Sequence, residues 1–289
     1  MTSTWTADPD VLIRPRELAA VLAAEHPLLL ADVRWNLGGP PGRPEYELGH
    51  LPGAQWVDLE AELSSPPGVG GRHPLPAPAT FEQAMRRIGL NREAPIVVYD
   101  AANSLAAARL WWLLTDAGHN GVRVLDGGFA AWRAAGLPIE SGAGAPVASG
   151  DFVARPGQRA QLSGPEIEAG QAAHSGLLLV DVRAAERYSG ATEPIDPVAG
   201  HIPGAVNLPS PGNHAADGRF LPAAIIADRY REAGVASEAV LYCGSGVTAA
   251  QSLLALESAG LTAAIYPGSW SDWITDPDRP IATGPHQGV

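Results

Sequence analysis

The sequence predicts an α/β protein of two tandem domains, each a mainly parallel sheet covered by helices on both faces. Three observations predict it. The chain repeats four landmarks in the same order, short apolar runs alternate with amphipathic stretches, and one run ends in a cysteine followed by a glycine loop and a helix.

The repeat comes first because it sets the domain count. Asp32-Val-Arg34 recurs as Asp181-Val-Arg183, and Gly49-His-Leu-Pro-Gly-Ala54 as Gly200-His-Ile-Pro-Gly-Ala205. Ile96-Val-Val-Tyr-Asp100 pairs with Ala239-Val-Leu-Tyr-Cys243, and Gly127-Gly-Phe-Ala-Ala-Trp132 with Gly268-Ser-Trp-Ser-Asp-Trp273. A near-constant offset means a duplicated domain. The expected division is 1–142, a linker at 143–162 rich in Gly, Ala and Pro, and 163–289. At 289 residues the chain has room for two ordinary domains.

The elements of the first copy follow in order. Leu28–Val33, Ile96–Tyr99 and Val122–Leu125 read as buried strands. Pro15–Ala24, Thr80–Ile88, Leu105–Thr115 and Phe129–Ala135 read as helices. Short strands alternating with helices point to parallel pairing. Gly38–Pro44 and Ser64–Pro78 read as loops. In the second copy Ala239–Tyr242 reads as a strand and Ala249–Leu256 as a helix. The pair Trp111-Trp112 is expected to pack in the core and at the domain interface, and His50, His201, Asp181 and Arg183 to be structural, because both copies keep the motifs that hold them.

Composition narrows the chemistry. A hydrophobic content of 46% with mean hydropathy near zero is that of a globular protein. The formal net charge of -12 argues against nucleic acid and anionic membrane as partners. No apolar run approaches a membrane span, and residues 1–10 show no basic region followed by an apolar run, so no signal peptide is expected. All 19 basic residues are Arg, which removes Schiff-base chemistry and the Gly-Lys-[Ser/Thr] phosphate loop. One cysteine leaves no internal disulfide, Cys-rich zinc site or Cys-X-X-Cys pair. No metal or cofactor is expected.

That cysteine, Cys243, is the candidate nucleophile. A lone Cys is ordinarily a small buried hydrophobe. A core residue, however, does not need the Gly244-Ser-Gly246-Val-Thr248 turn that follows it. Loop N–H groups and a helix N-terminus would point at the sulfur and favour a thiolate. The first copy has Asp100 in this place, so a single site is expected, roofed by loops from the first copy.

These motifs resemble the rhodanese (sulfurtransferase) family over nearly the whole chain. The resemblance implies that a donor gives its outer sulfur to Cys243 as a persulfide and an acceptor nucleophile removes it. Thiosulfate-using members carry two cations after the cysteine; here those places are Gly244 and Ser245. The Gly-Ser-Gly form is similar to the 3-mercaptopyruvate branch, in which the serine joins a histidine and an acid in a relay. The matching residues are Ser245, His73 and Glu60, with Asp58 as the other candidate acid. Gly244, Gly246, Val247 and Thr248 match the sulfur-binding loop, Arg187 the substrate arginine and Trp35 a pocket wall. The branch has a second arginine several residues after the first; here Glu193-Pro-Ile-Asp-Pro-Val198 contains none. The resemblance implies a cytoplasmic monomer or weak oligomer that takes a small anionic sulfur donor. Its acceptor would be a thioredoxin-like dithiol or cyanide. The alternatives are thiosulfate:cyanide sulfur transfer and a non-catalytic sulfur carrier. A cysteine phosphatase needs an Arg at the sixth place after the cysteine, which is Ala249.

Overall fold

The computed structural model describes residues 10–173, 176–235 and 238–285. Residues 1–9, where no signal peptide is expected, lie outside the described residues. The chain divides into two compact units. Unit 1 takes Met1–Ser64, Pro76–Gln158 and His214–Phe220; unit 2 takes Ser65–Leu75, Arg159–Asn213 and Leu221–Val289.

Unit 1 runs β1 (Leu12–Ile13), α1 (Pro15–Ala23), β2 (Leu29–Asp32), α2 (Arg43–Leu48), β3 (Gln55–Trp56), α3 (Leu59–Glu62), α4 (Pro78–Arg87), β4 (Ile96–Tyr99), α5 (Leu105–Asp116), β5 (Val122–Leu125) and α6 (Gly128–Ala134). Its strands form a parallel sheet in the order β1-β5-β4-β2-β3. All four residues of β4 are buried, as a strand covered on both faces requires. The chain up to Gln158 packs on this unit. Phe152 stands edge-on to Phe81, and Gln158 N–H donates to Asp116 O.

Unit 2 runs α7 (Gly164–Ala172), β6 (Leu179–Asp181), α8 (Ala185–Ser189), β7 (Val206–Asn207), a 3₁₀ turn at Ser210–Asn213, α9 (Ala223–Glu232), β8 (Val240–Tyr242), α10 (Val247–Ser258), β9 (Ala264–Ile265) and α11 (Ser269–Trp273). Its parallel sheet has the order β7-β6-β8-β9. A parallel bridge from Gln161 to Ile265 stands where β1 pairs β5 in unit 1. No helix among the described residues is long and apolar enough to cross a membrane.

The repeated motifs do the same mechanical work in each unit. Arg34 pairs with buried Asp32 and donates to Gly49 O; Arg183 pairs with buried Asp181 and donates to Gly200 O. Each ion pair thus ties the end of a strand to its Gly-His-Leu/Ile-Pro-Gly-Ala turn. Tyr99 and Tyr242 hydroxyls accept from Leu51 and Ile202 N–H in those turns. His50 stacks on Tyr46 and donates to its carbonyl; His201 does the same with Tyr188. Both histidines are buried and held to a carbonyl of their own unit. Trp111 and Trp112 are buried in α5. Burial raises the Asp32 pKa to about 6 against the pull of Arg34.

Some element ends differ from expectation; α4, for one, starts at Pro78 rather than Thr80. Arg43–Leu48 is helical where a loop was expected up to Pro44, because Pro44 sits in the first turn, where it lacks no bond. Helix α10 begins at Val247 rather than Ala249, because Gly246 at its N-cap adopts φ +81 and turns the chain in one residue.

Candidate active site

The sulfur lies at the carboxyl end of β8, where parallel sheets present their ligand sites. Cys243 is 2% exposed, and Gly246 N–H donates to Sγ at 3.1 Å. Val247 and Thr248 form the first turn of α10 behind it. Only glycine fits at position 246, since a Cβ there would run into the Pro267 carbonyl.

The start of α11 closes the loop from the other side. Trp270 N–H donates to Cys243 O at 3.0 Å and Ser271 N–H to Gly244 O at 2.9 Å. Between them Ser269 accepts the Cys243 N–H at 3.1 Å, donates to Tyr266 O and stands 3.9 Å from Sγ. Ser269 holds φ +55, a left-handed backbone rare outside glycine. Its counterpart in unit 1 is Gly128, at φ +53. Sequence reasoning missed Ser269; the alignment of Gly127-Gly128 with Gly268-Ser269 was the signal.

The first copy contributes one stretch to unit 2, Ser65–Leu75. It is docked by its backbone: Gly70 N–H donates to Asp272 Oδ1 and Arg72 N–H to Ser271 Oγ. Gly71 makes this approach possible, with φ +92 and no room for a Cβ against Ser271 Oγ and Gly268 O. His73 follows, buried, with Nδ1 2.7 Å from Ser245 Oγ. Two residues of the expected relay are therefore in direct contact.

The other N-terminal candidates, Trp35, Asp58 and Glu60, belong to unit 1. Trp35 Nε1 donates to Glu60 Oε1 at 2.8 Å. Asp58 is the N-cap of α3, its carboxylate accepting from Glu60 and Ala61 N–H. Asp58 therefore caps α3, and Glu60 carries the bond from Trp35.

Arg187 stands beside the loop, but not alone. A Cβ on Gly244 would lie 2.6 Å from Arg72 Nη2 and 3.5 Å from both terminal nitrogens of Arg187. Asp196 bridges the two guanidiniums, 2.9 Å from Arg72 Nε and 2.8 Å from Arg187 Nη2. Glu193 adds a second carboxylate to Arg187 at 2.9 Å. Burial raises the Asp196 pKa against the pull of Arg72 and Arg187. Burial also works to raise Glu193, but the hydrogen bonds from Arg187 and from Asp196 and Ile195 N–H outweigh it and hold Glu193 below the usual carboxylate range. Sequence reasoning missed Arg72, although it precedes His73 directly.

In unit 1 the equivalent loop is filled by its own side chain. The Asp100 carboxylate accepts N–H from Ala102, Ser104, Ala106 and Ala107. A loop built to bind an anion has taken a fixed one.

A buried thiol at a strand end, an N–H aimed at it, a Ser–His contact beside it and guanidiniums above it define a protein that handles sulfur through a cysteine. Comparison with known proteins gives the family. The Rhodanese-like domain matches residues 14–135 and 166–276, and the chain belongs to the rhodanese family as a two-domain sulfurtransferase. It is 45% identical over 283 residues to the "Putative thiosulfate sulfurtransferase SseB" of Mycobacterium tuberculosis, covering 95% of this chain and 97% of that one. It is 32% identical over 296 residues to the 3-mercaptopyruvate sulfurtransferase of Escherichia coli K12, covering 97% and 99%. Among solved structures, the 3-mercaptopyruvate sulfurtransferase from Leishmania major superposes with a TM-score of 0.81 at 30% identity, over 92% of this chain and 75% of that one.

Proposed function

We infer that the chain moves sulfur from 3-mercaptopyruvate to a thiol acceptor through a persulfide on Cys243. The observation that carries this reading is the 2.7 Å contact between His73 Nδ1 and Ser245 Oγ, two residues from the thiol. Cys243 thiolate attacks the donor's sulfur. The carbon–sulfur bond breaks, its electrons pass to carbon, and the enolate of pyruvate leaves. Carbon then needs a proton, which Ser245 backed by His73 can relay. Glu60 as the acid of the relay and Trp35 as a pocket wall rest on the resemblance. The acceptor thiolate next attacks the outer sulfur and releases Cys243 as a thiolate.

Gly246 N–H, at 3.1 Å, stabilises the negative sulfur in both halves of the cycle. Arg187 holds the donor's carboxylate. A thioredoxin-like dithiol suits the second step, and a cytoplasmic setting suits a thiol that must stay reduced. Incubation with 3-mercaptopyruvate is expected to add one sulfur, about 32 Da, to the protein and release pyruvate. Absence of the adduct with this donor and with thiosulfate would sink sulfur transfer through Cys243. A second reading, thiosulfate as donor, is supported by the 45% identity to a relative named a putative thiosulfate sulfurtransferase; the ratio of turnover with the two donors decides it.

A further inference from the structure

We propose that Arg72 is the second donor-binding arginine of this site, acting with Arg187 on the carboxylate of the sulfur donor. The proposal rests on the reading of Cys243 as the sulfur carrier. The segment after Arg187 offers Glu193 and Asp196 where a cation was sought, and the cation comes instead from Ser65–Leu75.

Arg72 is placed for this work. Its backbone N–H is fixed by Ser271 Oγ at 3.0 Å, and Ser271 N–H in turn holds Gly244 O. The guanidinium is therefore referenced to the loop that carries the thiol. Its Nη2 is the nearest atom to where a Gly244 side chain would stand, so the missing side chain is what lets the cation approach. Its Nη1 is buried and donates no hydrogen bond. A half-buried guanidinium with one buried, unspent donor is a costly arrangement unless a ligand accepts from it. Arg187 has spent Nε on Glu193 and Nη2 on Asp196. Arg72 spends Nε and Nη2 on Asp196, and its Nη1 is the buried donor left for a ligand beside Arg187.

The shared counter-ion sets the selectivity. Arg72, Arg183 and Arg187 face Asp181, Glu193 and Asp196, so carboxylates match guanidiniums one for one. A matched cluster holds a monoanion by directed hydrogen bonds and has no surplus charge for a dianion. Mercaptopyruvate is a monoanion and thiosulfate a dianion.

The test uses the full-length protein and steady-state kinetics with both donors. Arg72→Leu is expected to raise KM for mercaptopyruvate about tenfold or more, the worth of one charge-assisted hydrogen bond, with kcat nearly held. Arg72→Lys should recover part of that loss, because it restores the charge without the planar fork. Asp196→Asn should lower KM for thiosulfate more than for mercaptopyruvate. A KM for mercaptopyruvate unchanged in both Arg72 variants, or a fall in kcat alone, would overturn the proposal. An equal effect of Asp196→Asn on the two donors would overturn the selectivity. If Arg72→Leu does not fold, Arg72→Lys and Asp196→Asn carry the same comparison. Wild-type protein that takes up no sulfur from either donor refutes the Cys243 reading itself. Wild-type loading with unchanged KM in the variants refutes Arg72 alone.

Discussion

His73 and Ser245 are 172 positions apart in the chain and 2.7 Å apart in space. The contact exists because Ser65–Leu75 leaves its own copy and docks on the unit that holds the thiol. Both side chains are buried, so the pair is screened from bulk water and fixed in orientation. Ser245→Ala and His73→Ala are each expected to slow mercaptopyruvate turnover about 100-fold. Thiosulfate turnover, which leaves sulfite and no carbanion, should change far less. The double variant should be little worse than either single one, because the two act as a unit. Steady-state rates with the two donors check this, and equal losses on both donors reject the relay.

The loop glycine is the second point of test. Gly246→Ala must hold φ +81 with a side chain, at about 1–2 kcal/mol, and must also push Pro267 aside. Gly260→Ala is the control: its φ is +73, but a Cβ there meets nothing within 4 Å. Both variants should melt lower than wild type, Gly246→Ala by more. Only Gly246→Ala should fail to form the persulfide, measured by intact mass after incubation with donor. Normal loading of Gly246→Ala would mean that the loop is not the sulfur's cradle.

Much of this was legible from residue order alone. The repeat located both sheets, and the alternation of short apolar runs with helices located the thiol at a strand end. Cys243 came from its own glycine loop, whereas Ser245, His73 and Arg187 came only through the resemblance to the rhodanese family. Arg72 was not legible, because its role depends on which unit Ser65–Leu75 joins, and nothing local records that a loop packs with the other half of the chain. Ser269 was hidden for another reason. A serine in a left-handed turn looks like any other serine until its backbone is known, and only its pairing with Gly128 betrays it.

Asp100 gives a prediction for the unit without a thiol. Its carboxylate satisfies four backbone N–H groups, two in the loop and two in the first turn of α5. Asp100→Asn would set an amide N–H₂ against some of those donors, at about 1–3 kcal/mol. Its melting temperature at neutral pH should fall accordingly. Burial raises the Asp100 pKa despite the four hydrogen bonds, so the folded chain holds this proton more tightly than the unfolded chain. The group's contribution to stability is therefore full below the unfolded value and is lost as pH rises through the folded one. Asp100→Asn should lack that slope in a series of melts against pH. The same slope in both proteins would assign it to other groups.

Ser269 permits the sharpest separation of stability from function. Gly128 shows that this backbone position accepts glycine, so Ser269→Gly relieves a left-handed strain of about 1–2 kcal/mol. The same change removes the acceptor of the buried Cys243 N–H, at about 1–3 kcal/mol. The two terms oppose each other, and the melting temperature of Ser269→Gly should stay near that of wild type. Ser269→Ala keeps the strain and loses the acceptor, so it should melt lowest of the three. Persulfide formation should slow in both variants, because the strand end that carries the sulfur is no longer pinned from below. Stopped-flow mixing with donor, read by the release of pyruvate, measures that step. A Ser269→Gly protein that loads sulfur at the wild-type rate would show that the hydroxyl serves the turn and not the thiol.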